Sequence, residues 1–80
     1  MTLYQIRQID PEYERELRVK TFEKSVTGDG SYQCAYCGMT AKNKIPFQVD
    51  HIVPMGKGGK TVPENLQILC RRCNGLKGDR

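Results

Sequence analysis

Two Cys-x-x-Cys pairs are the residues whose type and spacing could most readily do chemistry. They are Cys34 with Cys37 and Cys70 with Cys73, separated by 32 residues. Two tight turns that each present two sulfurs can fill the four positions of a tetrahedral Zn²⁺ ion, whose Zn–S bonds are about 2.3 Å long. Zinc held by four sulfurs has no open coordination position, so we expect it to be structural. Two disulfides or a redox-active thiol pair are the competing interpretations.

The segment between the two pairs contains the chain's only histidine, His51, directly after Asp50. Asn65 lies later in the same segment, and Asn74 follows the last cysteine. The order C-x-x-C, D-H-I-V-P, E-N-L and C-x-x-C-N-x-x-K resembles the HNH endonuclease family, whose catalytic unit is the ββα-metal finger. The resemblance covers about residues 32–80. The last motif position is Asn74 rather than His, so the chain resembles an H-N-N variant.

The resemblance implies a DNA endonuclease that uses one divalent metal ion, and the residue types suit that chemistry. His51 is the only side chain that titrates near neutral pH, so we expect it to be the general base. Asp50 and the carbonyl oxygen of Asn74 are the kind of ligand that Mg²⁺ or Mn²⁺ prefers. Such an ion polarises the phosphate and neutralises the departing alkoxide. Asn65 is expected to bond the backbone near His51 and aim the imidazole.

The resemblance also implies products with 5′-phosphate and 3′-hydroxyl ends. One site cuts one strand per binding event, so we expect a monomer to nick DNA, while the choice between monomer and homodimer stays open. An RNA substrate stays open as well. A non-catalytic zinc module that binds nucleic acid is the alternative function, and a thiol redox protein is a weaker third one.

The charge of the chain indicates a polyanionic partner. Residues 31–80 carry eight Lys or Arg against three Asp or Glu, whereas residues 1–30 have a net charge of −1. Four thiolates on one Zn²⁺ would lower the charge of the basic part to about +3. A basic surface attracts DNA phosphates. The candidate phosphate contacts are Lys57, Lys60, Arg71, Arg72 and Lys77, together with Arg80, and Lys77 is favoured because it lies one helical turn beyond Asn74.

These residues must be positioned by a small α+β fold, a zinc-stabilised ββα-metal domain with an N-terminal helix. We expect residues 1–30 to form an arm and a supporting helix, and residues 31–80 to form the nuclease domain. Residues 1–9 are predicted to be a short strand or extended arm. Asp10-Pro11-Glu12 predicts a helix start, with Asp as N-cap and Pro in the first turn. That helix should run to about Ser25.

The site itself is predicted to lie on a β-turn-β-α unit. Ile45–Pro54 reads as a strand that is regular to about Val49, and 50–59 as an irregular connection that lets Asp50 and His51 serve one phosphate. Thr61 and Glu64 resemble a capping box, which predicts a short helix from Glu64 to about Leu69. A C-terminal turn or helix over 74–80 should bring Asn74 beside Asp50.

Composition excludes some classes of protein. No stretch approaches the roughly 20 apolar residues of a membrane span, and residues 1–9 lack the apolar run of a signal peptide. We therefore expect no membrane partner and a cytoplasmic location. In a reducing compartment, paired cysteines more often bind metal than form disulfides.

Overall fold

The computed structural model describes residues 2–78. Two helices are followed by two short antiparallel hairpins and a final helix, and this confirms the predicted α+β class. The elements in chain order are α1 (Leu3–Ile9), α2 (Pro11–Glu23), β1 (Tyr32–Gln33), β2 (Thr40–Ala41), β3 (Phe47–His51), β4 (Leu66–Cys70) and α3 (Arg71–Lys77). Two 3-10 turns, Met55–Lys57 and Pro63–Asn65, lie in the connection between β3 and β4.

The prediction of a strand or extended arm at residues 1–9 is wrong, because α1 occupies Leu3–Ile9. A capping box begins this helix. The Thr2 hydroxyl accepts from the Gln5 backbone N–H at 3.0 Å, and the Gln5 side chain accepts from the Thr2 N–H at 2.8 Å. These two bonds satisfy backbone donors that a helix start leaves without partners. Burial of Ile6 then holds α1 against the rest of the fold.

The helix start predicted at Asp10 is present. The Asp10 carboxylate accepts from the Tyr13 backbone N–H at 3.2 Å, and α2 ends at Glu23, two residues before the predicted end. Leu17 packs in a buried cluster with Ile6 and Leu66 from the far end of the chain. Helices α1 and α2 therefore share an apolar cluster with β4, which pairs with β3 to form the hairpin that carries the site (the site hairpin).

The site hairpin pairs β3 with β4 in antiparallel register, with Asp50 opposite Gln67 and His51 opposite Leu66. The predicted helix from Glu64 to Leu69 is wrong, because the chain makes one 3-10 turn and then enters β4. Four of the five β4 residues are buried. A short strand enclosed on both sides can be apolar on both faces, so it lacks the alternation that marks a half-exposed strand.

The capping role predicted for Thr61 is also wrong. The N-cap position of the Pro63–Asn65 turn is Val62, and no side chain caps that turn. Thr61 is instead buried and contacts the ring of His51. The spacing of Thr61 and Glu64 therefore does not mark a helix start, and Thr61 makes a tertiary contact with His51 instead.

The last helix begins earlier than predicted, at Arg71, so that Cys73 and Asn74 both lie within it. The prediction for residues 74–80 extends beyond the described part of the chain, and Arg80 lies outside it. Within residues 2–78, no helix combines the length and the apolar character needed to cross a bilayer.

The larger buried cluster surrounds the cysteines. It joins aromatic residues from α2 and β3 to the apolar side of β4. Its members are Phe22, Cys34, Phe47, Ile68, Leu69, Cys70 and Cys73. Phe22 contacts Phe47 edge to face, with ring centroids 6.5 Å apart. Three of the four cysteines thus form part of the core itself.

Candidate active site

The four cysteine sulfurs converge on one point. All four Sγ atoms lie within 4.8 Å of one another, and those of Cys37 and Cys70 are 3.8 Å apart. A tetrahedron with Zn–S bonds of about 2.3 Å has sulfur–sulfur edges of about 3.8 Å, whereas a disulfide bond is only about 2.05 Å long. The cysteines are unpaired thiols in this arrangement. Donor type and spacing therefore fit a structural zinc ion, as predicted.

The surroundings of Cys34 favour a thiolate ligand. Burial raises its pKa, but backbone N–H groups of Cys37, Cys70 and Tyr36 hydrogen-bond the sulfur and together lower the pKa to about 6. Cys73 behaves oppositely, because burial and hydrogen bonds with the neighbouring thiols raise its pKa to about 12. A metal that binds all four sulfurs must displace the Cys73 proton, and this couples metal binding to proton release.

The end of β3 presents Asp50 and His51 to different neighbours. Their side chains leave opposite faces of the strand, as successive residues do: Asp50 contacts Gln67 and Lys77, while His51 contacts Thr61. The strand was expected to become irregular at Asp50, but its pairing continues through His51. Both residues nevertheless line one cavity of about 310 Å³, which opens where the strand ends.

Asp50 is held by an ion pair and a hydrogen bond. Lys77 Nζ lies 3.2 Å from Oδ2 and 3.4 Å from Oδ1 of Asp50, and Gln67 Nε2 donates to Oδ2 at 2.9 Å. Lys77 also donates to the backbone carbonyl of His51 at 2.9 Å. These contacts hold the Lys77 ammonium in the wall of the cavity, and only 3 % of the Lys77 side chain is exposed. In this arrangement the ammonium of Lys77 contacts Asp50. The phosphate contact expected of Lys77 stays a prediction.

His51 is half-buried, and its Nε2 lies 2.8 Å from the hydroxyl oxygen of Thr61. Burial lowers the pKa of His51 below 6.5, while the charge of Asp50 raises it and that of Lys77 lowers it. The net direction is downward, which favours the neutral form of the ring. A neutral imidazole is the form that can accept a proton.

Asn65 binds the connection that follows His51. Its Oδ1 accepts from the Val53 N–H at 2.9 Å, and its Nδ2 donates to the carbonyls of Val53 at 3.1 Å and Lys60 at 2.9 Å. Its own carbonyl accepts from the Ile52 N–H at 2.8 Å. The structure thus brings Asn65 to the backbone beside His51, as expected, and its role in aiming the imidazole stays a prediction.

Asn74 contacts Gln48 rather than Asp50. Its Nδ2 donates to Oε1 of Gln48, two residues before Asp50 on the same face of β3. Lys77, one helical turn after Asn74, reaches Asp50. Helix α3 therefore contacts β3 at two positions, Gln48 through Asn74 and Asp50 through Lys77. Shared metal ligation by Asp50 and Asn74 stays a prediction.

The other candidate phosphate contacts lie on the surface. All four are exposed: Lys57 and Lys60 lie in the connection after β3, and Arg71 and Arg72 lie in the first turn of α3. Lys57 belongs to the 3-10 turn whose Met55 and Gly56 line the cavity. Exposed cations suit contact with a phosphate backbone, and each contact stays a prediction.

Three residues that hydrogen-bond the predicted site residues were not themselves predicted to do so. Gln67 bonds Asp50, Gln48 bonds Asn74, and Thr61 bonds His51. Gln48 could have been found, because it lies two residues before Asp50 on the same strand face. Gln67 could not, since β4 was assigned to a helix and its register was therefore unknown.

Comparison with known proteins agrees with this geometry. The family model described as HNH endonuclease matches residues 34–80. A CRISPR-associated endonuclease Cas9 of Corynebacterium diphtheriae is 48 % identical over 50 residues, which cover 59 % of this chain and 4 % of that protein. The chain thus spans a small fraction of that relative's length. No solved structure gives a significant match. With more than half of its residues in the matched region, the chain belongs to the HNH endonuclease family.

Proposed function

We propose that this chain is a metal-dependent DNA endonuclease that uses His51 as its general base. One observation carries the proposal: a half-buried imidazole and a carboxylate line the same cavity in a member of a nuclease family. His51 takes a proton from the attacking water, and its lowered pKa favours the neutral form that can accept one. Asn65 holds the connection that positions this imidazole.

Asp50 and the Asn74 carbonyl would hold one Mg²⁺ or Mn²⁺ ion. The fit rests on donor chemistry and charge: Asp50 offers hard oxygen ligands, has a side chain 10 % exposed, and already lies against a cation in Lys77. When bound, the ion supplies charge neutralisation at the phosphate and at the departing 3′ oxygen. The expected products carry 5′-phosphate and 3′-hydroxyl ends.

DNA is the proposed substrate, bound by exposed cations, namely Lys57, Lys60, Arg71 and Arg72. Lys77 would contact phosphate only after leaving Asp50. A single site cuts one strand, so a monomer would nick and a homodimer could cut both strands. We propose a cytoplasmic setting, because a reducing compartment keeps zinc-binding thiols from forming disulfides.

A supercoiled plasmid incubated with the zinc-loaded protein and Mg²⁺ or Mn²⁺ tests this proposal. The wild type should produce open circles, and His51→Ala purified by the same route should not. Lys20→Ala, an exposed change on helix α2, is the matched control and should cut like the wild type. Equal cutting by His51→Ala would remove His51 from the mechanism.

A non-catalytic zinc module that binds nucleic acid is the second candidate. It is favoured by the internal contacts of Asp50 and Asn74, whose side chains bond Lys77, Gln67 and Gln48. Such a module would shift a labelled duplex in a gel without cutting it under any divalent metal. Cleavage that depends on His51 would exclude it.

A further inference from the structure

Thr61 is the side chain that engages the imidazole of His51, although it lies outside the motif that carries the family resemblance. Its Oγ1 is 2.8 Å from His51 Nε2 across ten residues of chain. Thr61 is buried, with 9 % of its surface exposed, in a connection otherwise rich in glycine. Buried hydroxyls of this kind are expected to be hydrogen-bonded, and this one is bonded to the ring proposed as the base.

The backbone holds Thr61 at a fixed position relative to His51. Asn65 binds the carbonyl of Lys60, directly before Thr61, and both backbone groups of Val53, two residues after His51. The Gly59 N–H donates to the Pro54 carbonyl at 3.0 Å, and this bond links the two ends of the loop between Val53 and Lys60. These hydrogen bonds hold the loop that carries Thr61, so its hydroxyl contacts the His51 ring from a fixed backbone position.

We propose that Thr61 is a positioning residue that decides which ring nitrogen of His51 acts as the base. Nε2–H donates to the Thr61 hydroxyl oxygen, which keeps the exchangeable proton on Nε2 and leaves Nδ1 unprotonated. Nδ1 is then the nitrogen that takes the proton from water. This inference rests on the proposed function, because a general base must present an unprotonated nitrogen to the water.

The opposite arrangement has a distinct signature. A Thr61 hydroxyl that donated to Nε2 would place the ring proton on Nδ1. Nε2 would then be occupied by Thr61 and Nδ1 by its own proton, so the ring would have no nitrogen available as a base. The location of one proton separates the two arrangements, and it can be measured without any catalysis.

His51 is the only histidine of the chain, so its ring nitrogens give one set of signals in an ¹⁵N NMR spectrum. We would record long-range ¹H–¹⁵N spectra of the zinc-loaded protein at pH 8 without Mg²⁺ or Mn²⁺. The wild type and Thr61→Ser should show the Nε2–H tautomer with a slowly exchanging ring proton. Thr61→Val, which keeps the shape and removes the hydroxyl, should lose the slow exchange. A wild-type ring protonated on Nδ1 would overturn the inference.

Cleavage kinetics provide the second arm. Thr61→Val should lower kcat by about 10- to 100-fold with little change in KM, because a misdirected base slows proton transfer without weakening DNA binding. Thr61→Ser should restore kcat to within a few-fold of the wild type. Full kcat in Thr61→Val would overturn the role of Thr61 and leave the endonuclease proposal intact.

Absence of wild-type cleavage under both metals would instead overturn the endonuclease proposal, and the inferred bond would then be judged by the ¹⁵N spectra alone. If Thr61→Val fails to fold, the comparison of the wild type with Thr61→Ser still decides where the ring proton lies.

Discussion

Lys77 Nζ lies 3.2 Å from Asp50 Oδ2, and the two side chains are 3 % and 10 % exposed. Removing one partner of a buried ion pair leaves the other charge without compensation, at a cost of roughly 3–5 kcal/mol. We therefore expect Lys77→Met to lower the free energy of unfolding by up to about that amount. Asp50→Asn combined with Lys77→Met should be more stable than Lys77→Met alone. Urea titration of zinc-loaded proteins measures both.

Lys20→Met, an exposed lysine on α2, is the control for this pair and should change stability by no more than about 0.5 kcal/mol. If the effects of Asp50→Asn and Lys77→Met simply added in the double variant, the two side chains would not be energetically coupled.

Divalent metal binding should compete with Lys77 for Asp50. Because both cations use the same carboxylate, Lys77→Met is expected to bind Mn²⁺ more tightly than the wild type, and Mn²⁺ should raise its melting temperature more. Asp50→Asn should lose the site. Mn²⁺ electron paramagnetic resonance on zinc-loaded protein measures the affinity directly. Wild-type affinity in Asp50→Asn would show that Mn²⁺ binds elsewhere.

Zinc removal should unfold much of the molecule, because Cys34, Cys70 and Cys73 belong to the larger buried cluster. We expect one zinc per chain by elemental analysis. A strong chelator should abolish the cooperative thermal transition seen by circular dichroism, and added zinc should restore it. An unchanged transition in zinc-free protein would contradict a structural role for the metal.

Gly59 should tolerate no side chain. A Cβ at this position would clash with the Val53 carbonyl and lie 2.9 Å from Nδ2 of Asn65. Overpacking against fixed backbone costs about 1–3 kcal/mol, so Gly59→Ala should be destabilised and should cut DNA more slowly. Gly56→Ala is the matched control, since no atom lies within 4 Å of its Cβ. Equal melting temperatures for the two variants would contradict the close packing at Gly59.

The titration of His51 should respond to its charged neighbours in opposite directions. In the zinc-loaded protein without Mg²⁺ or Mn²⁺, its pKa is expected below 6.5, chiefly because of burial. Asp50→Asn removes a charge that stabilises imidazolium and should lower the pKa further, whereas Lys77→Met should raise it. If His51 is the base, activity rises with pH through this pKa. NMR titration of the single histidine checks both directions.

Several parts of this molecule could be predicted from local sequence. The Asp10-Pro11 start of α2 depends on residues within one turn. The type and spacing of the four cysteines indicate a metal site. The ordered motif containing Asp50 and His51 also identified the family. Residues 1–9 were misassigned although the Thr2–Gln5 capping box is local, so that error came from overlooked signals rather than from tertiary structure.

Amino-acid types alone determined which chemistry was available: four soft sulfurs for zinc, one imidazole for proton transfer, and oxygen ligands beside it. Tertiary structure decided which groups meet. The strand at Leu66–Cys70 exists because it pairs with β3, and this register brings Gln67 to Asp50. Lys77 reaches Asp50 across 27 residues and Thr61 reaches His51 across ten. Such contacts depend on register and helix docking, which no local pattern of residues encodes.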